Sequence, residues 1–168
     1  MKVITDSKED KNKIINSIIN LLNKNKLLTL STLNNNQPYS NTAFYVFDNE
    51  FNLYIWTDIS TLHCKNIKKN NKVAINIFDS TQKLGSYLQG IQCLGKARIT
   101  KGNEMIKAGL MYIKRYPKVL TLIKNYKEFS TKDSKIYKII LDKIKLFDEK
   151  TFGKDQHIEI MLERKKIK

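Results

Sequence analysis

The chain has 168 residues, enough for one domain with a sizeable core. Its mean hydropathy is −0.44, an ordinary value for a soluble protein, and no run approaches the ~20 apolar residues that span a bilayer. The net charge is +15, yet Arg occurs only at Arg98, Arg115 and Arg164. Arg is the side chain best suited to bidentate contact with bases and phosphates, so a lysine-dominated excess argues against a nucleic-acid-binding surface. The abundance of Lys, Asn and Ile is what an AT-rich genome encodes. The charge still raises the local concentration of anionic ligands. Cys64 and Cys93 form no CxxC pair, which points to a reducing compartment rather than a disulfide scaffold. The opening MKVITDSKEDKNK has no apolar run of the secretory kind, so a cytoplasmic location is expected.

In chain order, Ser7-Lys8-Glu9-Asp10 has the form of a capping box. Ile14, Ile15, Ile18, Ile19 and Leu22 follow at helical spacing, giving an amphipathic helix over about 7–24. Leu27 to Leu33 reads as a strand with its turn at Asn34-Asn35-Asn36, and Pro38 suits a strand start. Tyr39 to Phe47 is a second strand, Asp48-Asn49-Glu50 a turn, and Phe51 to Thr57 an antiparallel return. Leu53, Ile55 and Thr57 share one face of that return, and Tyr54 and Trp56 the other. Asp58-Ile59-Ser60-Thr61 opens a helix through about Lys69, which Asn70-Asn71 ends.

Lys72 to Phe78 is a strand and Asp79 to Ser86 a polar loop. Tyr87 to Ile99 is a long strand in which Gly90 and Gly95 suggest bulges or a close backbone approach. A helix from Gly102 carries Met105, Ile106, Gly109, Leu110 and Ile113 inward, and Arg115-Tyr116-Pro117 ends it. Val119 to Tyr126 is a short helical piece, and Lys127 to Lys135 is polar and expected to be mobile. Ile136–Leu141, Ile144–Asp148 and His157–Leu162 read as strands, and 163–168 as a basic tail. No repeat or linker divides residues 1–168, so a single domain is expected. Six or more strands with helices between them fit a closed antiparallel barrel with helices outside.

The junction at Asp58–His63 carries the chemistry. A helix start leaves backbone N–H groups without partners and bears partial positive charge. Ser60 and Thr61 add hydroxyls and His63 a titratable ring, so a phosphate would be well received. The plainer reading is that Ser60 or Thr61 caps the helix and binds nothing.

Five pieces, NTAFYVFD (41–48), LYIWTD (53–58), TLHCKNI (61–67), VAINIF (73–78) and LQGIQCLGKARI (88–99), resemble in order and spacing the pyridoxamine 5'-phosphate oxidase-like family of FMN-binding split barrels. The likeness runs over roughly residues 27–152 and is nearest to small, poorly characterised bacterial members. It implies a mainly β fold with flanking helices, built as a six-stranded antiparallel split barrel. It also implies a homodimer with FMN at the subunit interface, and oxidoreductase chemistry drawing on a small reductant or nicotinamide. By the same resemblance, Thr61 and His63 hold the flavin phosphate, and Trp56 and Thr57 lie beside the ribityl chain and phosphate. Asn41, Thr42, Ala43 and Phe44 run along the ring, contacting it mainly through backbone. Gln89 and Gln92 fall where the family presents an amide to the ring's polar edge. Residues three apart on a regular strand face opposite sides, so both reach the flavin only if Gly90 forms a bulge. Phe152 and Lys154 lie in the segment with which the partner closes the pocket.

The chain departs from the family at one point. Leu62 and His63 stand where an Arg and a Lys are often found, leaving Lys65 or Lys68 to compensate. No GxGxxG, P-loop, HExxH or GxSxG motif is present, and two separated histidines with two separated cysteines make no zinc set. Cys64 and Cys93 read as small core residues. No basic C-terminal pair suited to a substrate phosphate stands out, which argues against pyridoxamine-phosphate oxidation itself. Two alternatives stay open. One is a relative that binds haem, through His63 or His157, or a deazaflavin. The other is a barrel that binds single-stranded nucleic acid by stacking and charge.

Overall fold

The computed structural model describes residues 1–131 and 133–164, so most of the expected basic tail, 165–168, lies outside the described residues. Helix α1 (Lys11–Lys24) starts later than the Ser7 capping box suggested. Asp10 is its N-cap and accepts a hydrogen bond from the Lys13 N–H at 2.9 Å. The Ser7 hydroxyl instead accepts from the Glu9 N–H at 3.2 Å, shaping the turn before the helix.

Eight antiparallel strands, the first of them ahead of α1, form one sheet among the described residues: β1 (Lys2–Ile4), β2 (Leu27–Asn34), β3 (Gln37–Phe47), β4 (Leu53–Asp58), β5 (Lys72–Phe78), β6 (Gln89–Ile99), β7 (Ser134–Asp148) and β8 (Ile158–Glu163). Six of them, in the order β7-β4-β3-β2-β5-β6, form a ring that returns to β7 through the β6–β7 ladder. β8 and then β1 extend the sheet from β7. β1 was not foreseen, since three residues carry no readable periodicity.

β7 corrects the expectation of two separate strands at 136–141 and 144–148. It is one 15-residue strand, long enough to pair with β4 through its first half and β8 through its second while β6 runs along its other edge. Asp142-Lys143 is a bulge rather than a break. Gly95 pairs with Leu141 and Leu94 with Lys143, so Asp142 is the extra residue. A Cβ at Gly95 would run into the Ile140 carbonyl oxygen, which explains the glycine.

Two apolar clusters lie on the two faces of this sheet. The larger joins the α1 face (Ile14, Ile18, Leu21, Leu22) to inward residues of the ring such as Leu30, Leu53, Ile55, Ile77, Ile91 and Ile139. Cys64 and Cys93 are both buried within it, and burial pushes the Cys93 thiol up to about 12. The smaller packs Val46, Tyr54 and Ile136 against helix α3 (Gly102–Arg115) and the two short 3₁₀ turns after it, Pro117–Thr121 and Tyr126–Ser130. Helix α2 (Leu62–Lys69) leads from β4 to β5, and α4 (Glu149–Phe152) from β7 to β8. No helix among the described residues is long and apolar enough to cross a membrane.

The face of α3 differs from the one read from spacing. Ala108, Gly109 and Tyr112 are buried, whereas Leu110 is 56% exposed. The segment expected to be polar and mobile supplies the second cluster's largest wholly buried side chain, Phe129. Its ring fills the space over Gly109, where an added Cβ would lie 2.7 Å from Phe129 Cδ2. One aromatic in a lysine-rich stretch carries no period, so the sequence could not place it. Phe129→Ala is expected to cost about 3–5 kcal/mol in urea unfolding, the range for deleting a buried aromatic. A loss near zero would return the segment to a loosely held loop.

Candidate functional site

The site begins where β3 and β4 part. Their ladder holds only the pairs Phe47–Leu53, Val46–Tyr54 and Tyr45–Ile55. β3 continues paired with β2 as far as Gln37, and β4 continues paired with β7 as far as Asp58. Beyond Tyr45 and Ile55 the facing edges of β3 and β4 therefore have no strand partner in each other.

The Tyr112 hydroxyl sits at the parting. The Trp56 N–H donates to it at 2.9 Å, and it lies 2.9 Å from the Phe44 carbonyl oxygen and 3.0 Å from that of Tyr54. A direct Trp56 N–H to Phe44 carbonyl bond is the next rung of the ladder, and the phenol stands in its place. One helical turn on, the Tyr116 hydroxyl donates toward the carbonyls of Lys26 (3.1 Å) and Tyr45 (2.8 Å), on the β2 side of β3.

Between the parted strands lies a cleft of about 520 Å³, within the usual size range for small-molecule sites. Asn41, Thr42, Ala43 and Phe44 line one wall, and Trp56, Thr57 and His63 another. Three sequence segments thus converge on one space. Tyr112, Tyr116, Lys118, Val119 and Leu122 close it from the α3 side. Sequence reasoning missed those five; Tyr112 and Tyr116, four apart on a helix, were the available signal. Phe44 is 59% exposed and meets the Tyr116 ring edge-on at 5.5 Å. Trp56 packs edge-on against Phe129 at 4.9 Å, and its indole N–H donates to Ser134 Oγ at 3.2 Å.

At the α2 end, Thr61 occupies the N-cap position but its side chain caps nothing. Its hydroxyl donates to the Asp58 carbonyl at 2.7 Å instead. A capping Thr contributes ~1 kcal/mol, and here that contribution is missing, so the first-turn N–H groups lack a side-chain acceptor. His63 Nε2 lies 2.8 Å from Thr57 Oγ1 and 3.1 Å from Thr61 Oγ1. With the Thr61 proton committed to Asp58, the Thr61 oxygen can only accept from His63. In the tautomer with the proton on Nε2, that N–H donates to a threonine oxygen; in the other tautomer the closer Thr57 hydroxyl donates to Nε2. His63 is 6% exposed, and burial holds its pKa below the usual imidazole value. It is a neutral donor near pH 7. On the opposite wall, Asn41 Oδ1 is buried without a hydrogen-bond partner.

Thr61 thus adjoins the cleft through His63, but Gln89 and Gln92 do not line it. The β6–β7 register runs unbroken from Gln89 to Leu94 and the β5–β6 register from Gly90 onward, so there is no bulge at Gly90. Gln89 donates its amide N–H to Asp148 Oδ1 at 2.7 Å, and Asp148 Oδ2 accepts from Ser17 at 2.7 Å. This buried carboxylate ties α1 to the barrel. Gln92 is exposed on the other face of β6, beside Leu94, Lys143 and Lys145. Phe152 packs on the main core beneath Lys13 (5.0 Å), and Lys154 lies near Glu149 and Asp155, so neither reaches the cleft of its own chain. Among the described residues no group of three or more His, Cys, Asp or Glu could hold a metal ion.

A family model described as pyridoxamine 5'-phosphate oxidase matches residues 17–147. The chain belongs to that family. The UPF0306 protein PM1958 of Pasteurella multocida is 33% identical over 100 residues, 59% of this chain and 66% of that protein. ChuZ of Campylobacter jejuni shares the fold at TM-score 0.71 and 16% identity, over 94% of this chain and 65% of ChuZ. A heme-binding protein from Mycobacterium smegmatis does so at TM-score 0.70 and 12% identity, over 93% of this chain and 59% of that one. At such identities the likeness is one of fold.

The depressed His63 pKa has a definite consequence for stability. The folded state binds fewer protons than the unfolded one below the unfolded value of about 6.5. The stability due to neutral His63 is complete above that pH and is lost as pH falls toward the folded midpoint. NMR titration is expected to place the His63 midpoint below 6.5, and His63→Gln should flatten the decline of stability just below that pH. A His63 midpoint at or above 6.5 would show the ring charged and solvated.

Proposed function

We propose that the cleft between β3 and β4 binds FMN, and that the protein is a flavin-dependent oxidoreductase working as a homodimer. The observation that carries this is the convergence of Asn41–Phe44, Trp56–Thr57 and His63 on one cleft beside a helix start that its own N-cap side chain leaves open. Two further features fit the group. Asn41 Oδ1 is an acceptor without a partner, the kind of orphan that ligand sites keep. The unpaired β3 edge can offer main-chain groups to a planar ring.

In this reading the α2 N-terminus and the Thr57 hydroxyl hold the phosphate, Thr61 and His63 turn from their present bonds to Asp58 and to each other to donate to it, and Lys118 adds positive charge at the cleft wall. Lys118 has no ion-pair partner among the described residues. Asn41 to Phe44 and Trp56 orient the ring and exclude water from it. Bound FMN would supply hydride and electron transfer, and the protein binding and orientation. Gln92 and Leu94 are exposed on the outer face of β6, so in a dimer Gln92 is free to serve a partner's cleft. Gln89, already bonded to Asp148, is not.

Haem is the second reading, favoured by the fold shared with the M. smegmatis heme-binding protein. In the described geometry His63 Nε2 faces two hydroxyls, which suits a phosphate better than an iron.

Titrating FMN into purified protein, followed by flavin fluorescence quenching, is expected to saturate at micromolar concentrations. Thr61→Ala and His63→Ala should each weaken binding about tenfold, ~1.4 kcal/mol for one charge-assisted hydrogen bond. No uptake at millimolar FMN, with a Soret band on adding haemin, would replace flavin by haem.

A further inference from the structure

We infer that Tyr112 is a positioning residue that holds the cleft open by occupying a rung of the β3–β4 ladder. This deepens the flavin reading, because it says what makes the site available to any ligand. The inference rests on register and hydrogen bonds. Tyr45 pairs with Ile55, so the next rung joins Phe44 to Trp56. The Trp56 N–H and the Phe44 carbonyl both point at this rung, and both end on the Tyr112 hydroxyl at 2.9 Å.

The hydroxyl's capacity matches the place. It accepts once, from Trp56, and shares its single proton between the Phe44 and Tyr54 carbonyls. Two strands linked through an inserted oxygen stand farther apart than two strands in direct contact. The rungs beyond, Ala43 opposite Thr57 and Thr42 opposite Asp58, would close in turn if this one closed, and these residues line the cleft or flank it. The wedge is itself held from behind. Tyr112 is 4% exposed, Phe129 packs at 6.0 Å from its ring, and Tyr116 at 5.9 Å. Burial raises the phenol's pKa, so it stays protonated and keeps its donor.

The cleft is therefore a property of the α3 turn as much as of the strands. Without the hydroxyl, the Trp56 N–H and Phe44 carbonyl are two part-buried partners facing each other with nothing between them, and their cheapest remedy is to bond each other.

The test uses the full chain and the conservative variant Tyr112→Phe, with Tyr54→Phe as control. The Tyr54 hydroxyl is part-buried on the same strand but bonds Asp48 at 2.8 Å, away from the cleft. Tyr112→Phe is expected to stay folded, to bind FMN at least tenfold more weakly, and to show a Phe44–Trp56 amide NOE that the parent lacks. Tyr54→Phe is expected to bind FMN within twofold of the parent and to gain no such NOE. Parental FMN affinity in Tyr112→Phe without the NOE would overturn the wedge while leaving the flavin reading intact. If the parent takes up no FMN, the flavin reading fails, and the NOE alone decides the wedge. Should Tyr112→Phe fail to fold, Phe129→Leu, which loosens the wedge's backing, is expected to weaken FMN in proportion to the appearance of the same NOE. Unchanged affinity and no NOE there would count against it.

Discussion

A tyrosine hydroxyl stands where β3 and β4 would otherwise bond directly, and the site is arranged around that substitution. The strands are paired on one side of it and parted on the other. The paired side belongs to the core: Leu53 and Ile55 face inward, and Val46 and Tyr54 face the second cluster. The parted side belongs to the cleft. Each strand keeps its outer neighbour, β2 for β3 and β7 for β4, so the barrel loses no continuity where it opens. Leaving a buried backbone group unpaired costs about 1–3 kcal/mol; here the phenol partners the Trp56 N–H and shares its one proton between the Phe44 and Tyr54 carbonyls.

The same helix turn anchors the far end of α1. The Arg115 guanidinium donates to the carbonyls of Leu22 (2.6 Å) and Asn25 (2.7 Å), and Tyr45 OH donates toward the same two oxygens. Carbonyls at a helix C-terminus have no partners within the helix, and a cation there is favoured by the helix dipole. Arg115 also lies within 6 Å of the Tyr45, Phe47 and Tyr116 rings. Tyr112, Arg115 and Tyr116 thus join the end of α1, the lead into β2 at Lys26, β3 and β4 through side-chain bonds to main-chain atoms, which is how a helix on the outside of the sheet sets the shape of its opening.

Much of this was legible in the sequence because it rests on local chemistry. The strand at Tyr39–Phe47, its turn, the return at Leu53–Thr57 and the helix after Thr61 all carry their own propensities, and their order carried the family resemblance. The cleft walls at Asn41–Phe44, Trp56–Thr57 and His63 followed from that. What was not legible depends on partners distant in the chain. Asp142 looks like a strand break until Gly95 is seen opposite it, tight against Ile140. Phe129 looks exposed until Gly109 is seen beneath its ring. Gln89 looks like a ring contact until Ser17, many residues away, is found sharing Asp148 with it. Tyr112 looks like core filler, and its hydroxyl gains meaning only from two strands that separate around it.

Trp56 is the chain's single tryptophan, and it stands in the wall of the cleft with its indole bonded to Ser134 and packed edge-on against Phe129. The protein's tryptophan emission therefore originates at the wall of this cleft and nowhere else. Any molecule that enters the cleft would be reported by one indole, with no second elsewhere to blur the reading.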